Sequence, residues 1–141
     1  MIVPFLALAF VTVDTAWALF VKSTLQHAVH EGVRYAVTSR VSGGLGHVAS
    51  IKAIVQNESL GLLTVSQANT LVSVHFLDPV TLTDLGNGAG ANQGGNLVEI
   101  AITGYSIAPL APLLRSGDGI PVTVKAADKM EGSPGGVPPA M

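Results

Sequence analysis

Histidines are the residues of this chain best suited to metal chemistry. The 141 residues include four histidines and no cysteine, which excludes disulfides, thiolate metal sites and thiol nucleophiles. His27 and His30 stand three residues apart, a spacing that suits a metal-binding pair on a helix, and His47 follows later in the chain. Since the sequence places no further ligand beside them, we predict structural or solvent-facing histidines and no metal site.

Motifs for other chemistry are weak. No Gly-x-Ser-x-Gly nucleophile motif occurs, and the glycine-rich residues 86–95 lack the Lys-Ser/Thr and helix of a phosphate-binding loop. We expect His75, Glu99 and Lys125 to share the outer face of a sheet as an ordinary surface charge cluster. Asn57-Glu58-Ser59 fits a glycosylation sequon, a short pattern with many false positives. We therefore predict no catalytic residue, no cofactor and no enzyme.

Composition narrows the class of partner. Charged residues make up 11% of the chain, the net charge is −2, and the seven lysines and arginines do not cluster. This argues against nucleic-acid binding. The length suits a single domain, and most of the 16 glycines and 8 prolines fall in the second half, where they separate short elements.

The elements that position these side chains begin with an apolar run over residues 2–21, whose one ionisable residue is Asp14. Its length matches the hydrocarbon core of a bilayer, because a core of about 30 Å needs about 20 helical residues. A secretory signal would have basic residues before a shorter apolar run and a cleavage loop after it. The sequence shows neither, so we expect the run to be retained.

An amphipathic helical pattern continues the apolar run. Apolar residues recur at three- and four-residue spacing, the signature of one helical face, and glycines follow at residues 43, 44 and 46. We predict one helix of about 40 residues that ends near Val41. The apolar face comprises Leu25, Ala28, Val29, Val33, Ala36 and Val37.

The rest of the chain predicts a short helix and a small sheet. The apolar stripe that starts at Val48 indicates a helix to about Asn57. Alternation of β-branched and polar residues indicates three strands. The strands are expected over residues 70–77, 96–103 and 120–126, with a mobile exposed loop at 84–95, an irregular crossover at 105–114 and a poorly ordered extended tail.

The predicted fold class is therefore α+β, with a long N-terminal helix, a short second helix and an antiparallel sheet of about three strands. Residues 1–41 form the membrane or filament-core helix. Residues 42–131 form a small α+β head, and residues 132–141 form a tail rich in proline and glycine.

Asp14 and Trp17 each have two interpretations. A carboxylate within an apolar helix usually faces protein, water or a partner charge. Asp14 could cap a charge on a neighbouring subunit, such as an α-amine, and set axial register. It could equally bond locally to backbone or to the hydroxyls of Thr12 and Thr15, or stay protonated. Trp17 could anchor at a lipid–water interface or fill space between helices.

Residues 19–38 carry the most specific pattern in the chain. An apolar helix with a proline near its start (Pro4) and an acidic residue within the run (Asp14) leads into the sequence TLQHAVHEGVRYA. This arrangement resembles TadE-like proteins of tight-adherence pili, and the segment at 105–114 is similar as well. The resemblance marks as family-motif residues Leu25, Gln26, Glu31, Gly32, Arg34 and Tyr35. It also marks as assembly and membrane-helix residues Pro4, Phe5, Leu8, Phe10, Asp14, Trp17 and Phe20.

The resemblance implies a structural subunit of a type IV-like pilus or extracellular filament that polymerises through its N-terminal helix. The alternative is a single-pass, membrane-anchored minor pseudopilin or accessory that does not form the bulk filament. Expected partners are further copies of the chain in a helical filament, other pilus-assembly proteins, and the bacterial inner membrane before assembly. The expected destination is a cell-surface filament, with adhesion among its possible uses.

Two features depart from the family pattern. Family members carry a basic leader that is cleaved and a glutamate shortly after the cut, whereas Phe5 stands at that place here. In addition, Lys22, Arg34 and Arg40 all follow the apolar run, so the positive-inside rule alone would place the head in the cytoplasm. The resemblance implies a head outside, which is the placement we expect.

Overall fold

The computed structural model describes residues 2–110 and 119–141. Three helices precede a three-stranded antiparallel sheet with the strand order β1-β2-β3. This confirms the predicted α+β fold with its long N-terminal helix. The elements are α1 (Ile2–Val37), α2 (His47–Glu58), α3 (Val65–Leu71), β1 (Val72–Leu77), β2 (Leu97–Ile107) and β3 (Ile120–Lys129).

Helix α1 ends at Val37, four residues before the predicted end at Val41. Ser39 has φ +53°, a left-handed conformation that stops a helix. The Val37 carbonyl, which has no partner within the helix, accepts a hydrogen bond from the Glu131 amide at 3.1 Å. A contact from the far end of the chain therefore helps to fix this boundary.

The second half of α1 is the centre of the core. Its predicted apolar face packs against α2 on one side and against β2 and β3 on the other. The predicted face is buried at five of its six positions, namely Leu25, Ala28, Val29, Val33 and Ala36, whereas Val37 is only partly buried. Val21, one turn before this face, is buried as well. Because these residues recur at helical spacing, they form one stripe along the helix, and this stripe completes the hydrophobic core of the head.

Helix α2 confirms the predicted second helix, whereas α3 was not predicted. Helix α3 is seven residues long and begins with a capping box, in which Thr64 accepts from the Gln67 amide at 3.2 Å and the Gln67 side chain accepts from the Thr64 amide at 3.0 Å. The Thr-x-x-Gln spacing was a readable start signal. It was missed because so short a helix carries almost no apolar periodicity.

The three strands lie where they were predicted, with later ends for β2 and β3. Alternate residues of β1 and β2 pair across the sheet, such as Val74 with Ile100 and Phe76 with Val98, and these four side chains are buried. Between β2 and β3 the register shifts after Ile102. The shift lets β2 continue past the predicted end at residue 103.

Two segments predicted to be loose make defined contacts. In the loop at 84–95, Ala91 and Asn92 are buried, so the prediction of a wholly exposed loop was wrong there. In the tail, the Pro139 carbonyl accepts from the Asn92 side-chain amide at 2.9 Å, and the Ala140 carbonyl accepts from the His47 backbone amide at 2.8 Å. Of the predicted irregular crossover at 105–114, residues 105–107 belong to β2, so the prediction was wrong there, and residues 111–114 lie outside the described residues.

Candidate functional site

The first third of α1 projects from the head. All of residues 2–13 are exposed, and eight of them are large apolar residues: Ile2, Val3, Phe5, Leu6, Leu8, Phe10, Val11 and Val13. Pro4 lies in the first turn, where proline is tolerated because those amides have no partner within the helix. This helix is long and apolar enough to cross a membrane. A contiguous apolar surface of this kind marks a contact with lipid or protein.

Asp14 lies where the projecting part of α1 meets the head. It is only 6% exposed, and its Oδ1 accepts a hydrogen bond from the Leu110 backbone amide at 2.7 Å. The hydroxyls of Thr12 and Thr15 donate instead to the carbonyls of Leu8 and Val11. The sequence contains no sign of this partner 96 residues away, because every residue other than proline has a backbone amide, whatever its side chain.

Trp17 and Phe20 are the last two of the predicted assembly residues along α1. Their rings stack with centroids 5.7 Å apart. Trp17 is partly buried and packs against the head core, whereas Phe20 is exposed. The predicted assembly residues are therefore divided, since Pro4, Phe5, Leu8, Phe10 and Phe20 face outward while Asp14 and Trp17 contact the head.

Within the family motif, Leu25 and Gln26 join the helix to the sheet. Leu25 is fully buried in the core. The Gln26 side-chain amide donates to the Lys125 carbonyl of β3 at 3.0 Å and lies 3.1 Å from His30 Nε2. Both residues therefore stabilise the contact between α1 and the rest of the head within a single chain.

Gly32 and Tyr35 fix the way α1 meets its neighbours. A Cβ at Gly32 would lie 2.5 Å from Cγ2 of Val55 on α2 and 3.3 Å from Cδ1 of Ile100 on β2. Only a residue without a side chain permits this close approach. The Tyr35 hydroxyl donates to Oγ of Ser42 at 3.2 Å. The sequence alone does not reveal this packing role of Gly32, because it depends on Val55 and Ile100, which come from α2 and β2.

Glu31 and Arg34 are the motif residues whose charges are not used within the described chain. They stand three apart, yet no ion pair within 4.0 Å joins either of them to a described residue. Arg34 is exposed and Glu31 is half-buried. Two shallow grooves, of about 370 and 480 Å³, flank Arg34 on either side of α1. The weak ion pair that a three-residue spacing on a helix allows is not formed between them.

The histidines do not gather into a metal site. His27 and His30 are exposed, whereas His47 is fully buried. His27 Nε2 lies 4.0 Å from a Glu58 carboxylate oxygen. Among residues 2–110 and 119–141, no group of three or more His, Asp and Glu side chains could hold an ion.

The predicted charge cluster on the sheet is partly formed. Lys125 Nζ lies 3.5 Å from a Glu99 carboxylate oxygen, and His75 faces Glu99 in the strand register. His75 pairs more closely with Asp84, at 2.7 Å. The pKa of Asp84 is lowered, chiefly by the hydrogen bond from the Gly86 backbone amide and secondly by His75, because both favour the charged carboxylate. This surface has the exposure of an ordinary solvated charge cluster.

A buried polar cluster that the sequence did not reveal ties α2 to the tail. Nδ1 of His47 lies 3.0 Å from the Asn92 side-chain nitrogen, and the His47 and Phe76 rings stack at 5.9 Å. Since the Asn92 amide also donates to the Pro139 carbonyl, His47 Nδ1 must accept, which requires a neutral ring. Protonation would therefore set donor against donor.

We expect His47 to make the chain less stable as the pH falls below about 6.5, the ordinary pKa of histidine. Burial lowers the pKa of His47, and the Ala36 carbonyl offsets this only in part. The unfolded state then binds more protons than the folded state, so the free energy of unfolding falls as pH falls through this window, by at most about 1.4 kcal/mol per pH unit. Urea unfolding of the full chain in detergent at pH 7.5 and 5.5 measures the effect.

The control for this pH dependence is His47→Gln, which keeps a polar side chain but cannot titrate. Its free energy of unfolding should change less between the two pH values than that of the parent chain. Working above pH 5 avoids the carboxylates Asp78 and Asp84, whose pKa values are lowered by backbone amides. An equal pH dependence in both chains would refute the assignment to His47.

Comparisons with known proteins bear on α1. A search of curated proteins and a search of solved structures each found no match. The family model described as TadE-like protein matches residues 1–34, which include the projecting part of α1, Asp14 and the motif up to Arg34. The resemblance to TadE-like proteins is thus confirmed over those residues, and together with the projecting apolar helix it fits a protein associated with tight-adherence pili.

Proposed function

We propose that this chain is a structural subunit of a tight-adherence, type IV-like pilus or a related extracellular filament, and that it polymerises through its N-terminal helix. The observation that carries the proposal is the projecting part of α1, where residues 2–13 are exposed along a helix that continues into the head. Such a helix presents apolar side chains on every side, so it needs a cover on every side.

The energetics favour a helix that is always covered. Burying a leucine or phenylalanine side chain is worth about 1.5–3 kcal/mol, so eight exposed large apolar residues disfavour a free monomer in water. In the bacterial inner membrane, lipid would cover them, and in a filament, copies of the same helix would. Repeated head-to-tail contacts that do not close generate a helical fibre. Assembly then transfers the helix from bilayer to bundle.

The motif supports a contact between subunits at Glu31 and Arg34. Leu25, Gln26 and Gly32 have contacts within the head that account for them. The charges of Glu31 and Arg34 form no ion pair with the described residues, and they lie beside open grooves. In a packed filament these charges are available to a neighbouring head or to another pilus-assembly protein, with the head placed outside the membrane. The role is structural, not catalytic.

The amount of this chain in sheared surface material tests the proposal. Filaments released from cells by shearing should contain it as a main component, measured by quantitative mass spectrometry. Little or none in that fraction, with the chain retained in the membrane, would support the anchored accessory instead. A soluble, detergent-free monomer of the full chain would contradict both.

A further inference from the structure

The head covers one face of α1 well into the apolar run. Asp14 and Val21 are buried, and Trp17 and Ala18 pack against the core. Residues 120–123, at the start of β3, form a groove with Thr15, Ala18, Leu19 and Lys22. In the described fold, residues 2–13 are the continuous part of α1 in which every residue is exposed, whereas from Asp14 onward one face of the helix lies against the head.

The free part of α1 is too short to cross a bilayer. Twelve residues at 1.5 Å each extend about 18 Å, whereas the hydrocarbon core is about 30 Å thick. If residues 2–21 span the core, Asp14 lies about 10 Å inside its outer boundary, because it stands seven positions before Val21 along the helix. The docked head would then carry Leu110 and the adjoining ends of β2 and β3 into hydrocarbon.

Lipid does not tolerate such a segment. Residues 108–110 and 119 have no regular backbone hydrogen bonding, and irregular backbone exposed to lipid is excluded within the hydrocarbon region because its amides and carbonyls lack partners. We infer that the contact between the Asp14 carboxylate and the Leu110 amide closes outside the bilayer and opens when residues 2–21 span it. This rests on the proposed membrane and filament function.

Asp14 links the state of this contact to the surroundings of α1. A carboxyl group within a membrane helix is costly unless it has a partner. When the contact closes, the Leu110 amide donates to Asp14 from within the same chain, without help from another subunit. Since the two states differ in this contact, whatever closes it favours the extracted form and whatever opens it favours the inserted form. Asp14 thereby couples docking of the head to withdrawal of the helix.

The chain offers its own probes for this contact. It has one tryptophan, Trp17, and no cysteine. Leu110 is 59% exposed and donates through its backbone, so Leu110→Cys keeps the hydrogen bond and accepts a bimane label. Trp17 lies one helical turn from Asp14 and quenches bimane only at short range. The full chain is reconstituted in vesicles of dilauroyl phosphatidylcholine, which are thin, and of dioleoyl phosphatidylcholine, which are thicker.

We expect bimane to be quenched in the thin vesicles and in detergent micelles, and to lose that quenching in the thicker vesicles. Emission is referred to the same label in a Trp17→Phe chain in each medium, which removes effects of polarity. Asp14→Leu should abolish quenching in every medium. Asp14→Asn, which keeps an oxygen acceptor, should retain the response to thickness.

A second label separates the possible failures. Phe5→Cys should be protected from a membrane-impermeant maleimide in both kinds of vesicle. Protection together with equal quenching in both vesicles would overturn the opening of the contact and leave membrane anchoring intact. Reaction of Phe5→Cys in both vesicles would show that α1 does not insert, which overturns the proposed function and this inference together.

Discussion

Replacing Leu8 by glutamate is expected to remove this chain from surface filaments while leaving its head folded. Leu8 is 67% exposed on the projecting part of α1 and makes no contribution to the head core. In lipid or in a helix bundle the same position is surrounded by apolar groups. A carboxylate at the centre of a membrane helix costs about 2.5–3.5 kcal/mol on insertion scales, and in a packed bundle it also separates neighbouring helices.

The amount of the Leu8→Glu chain in sheared filaments, relative to the parent chain, measures this effect, and limited proteolysis of the detergent-solubilised chain reports on the head. Val80→Glu is the matched control, because Val80 is 88% exposed on the head and receives the same charge. It should assemble normally. Filaments that accept Leu8→Glu at the parental level would contradict polymerisation through the helix.

Local patterns predicted most of the fold. The long helix, the second helix and the three strands follow from apolar spacing, which each segment carries in itself. Apolar spacing did not predict where α1 ends. That boundary depends on the left-handed conformation of Ser39 and on the hydrogen bond from the Glu131 amide to the Val37 carbonyl. Helix α3 was signalled only by the cap at Thr64, a cue of four residues that is easily passed over.

The candidate site was predictable where residue type alone reveals it. Asp14 stands out as a charge in an apolar run, and the exposed Phe5 and Leu8 follow from hydropathy. The partners were not predictable, because the Leu110 amide that meets Asp14 and the Val55 methyl that faces Gly32 come from distant parts of the chain. Contacts of this kind depend on tertiary packing, which one sequence does not display.

The projecting part and the core part of α1 should differ in how much stability the same substitution costs. Leu25 is 0% exposed in the core, so Leu25→Ala removes buried methyl groups and leaves a cavity. Such changes cost about 2–5 kcal/mol, a large share of the stability of a small domain. Leu8→Ala alters an exposed position of the same helix, and surface substitutions usually stay within about 0.5 kcal/mol.

Urea unfolding of each full-length variant in detergent measures this difference, with Trp17 as the fluorescent reporter because it packs against the head core. We expect Leu25→Ala to lower the unfolding midpoint strongly and Leu8→Ala to leave it unchanged. In filaments the order of the two effects should reverse. Among molecules that fold, Leu8→Ala should reduce incorporation more than Leu25→Ala, since Leu8 is the side chain that a neighbouring helix would cover. Equal midpoints for the two variants would mean that the second half of α1 does not close the head, and the division of this helix into a projecting part and a core part would fail.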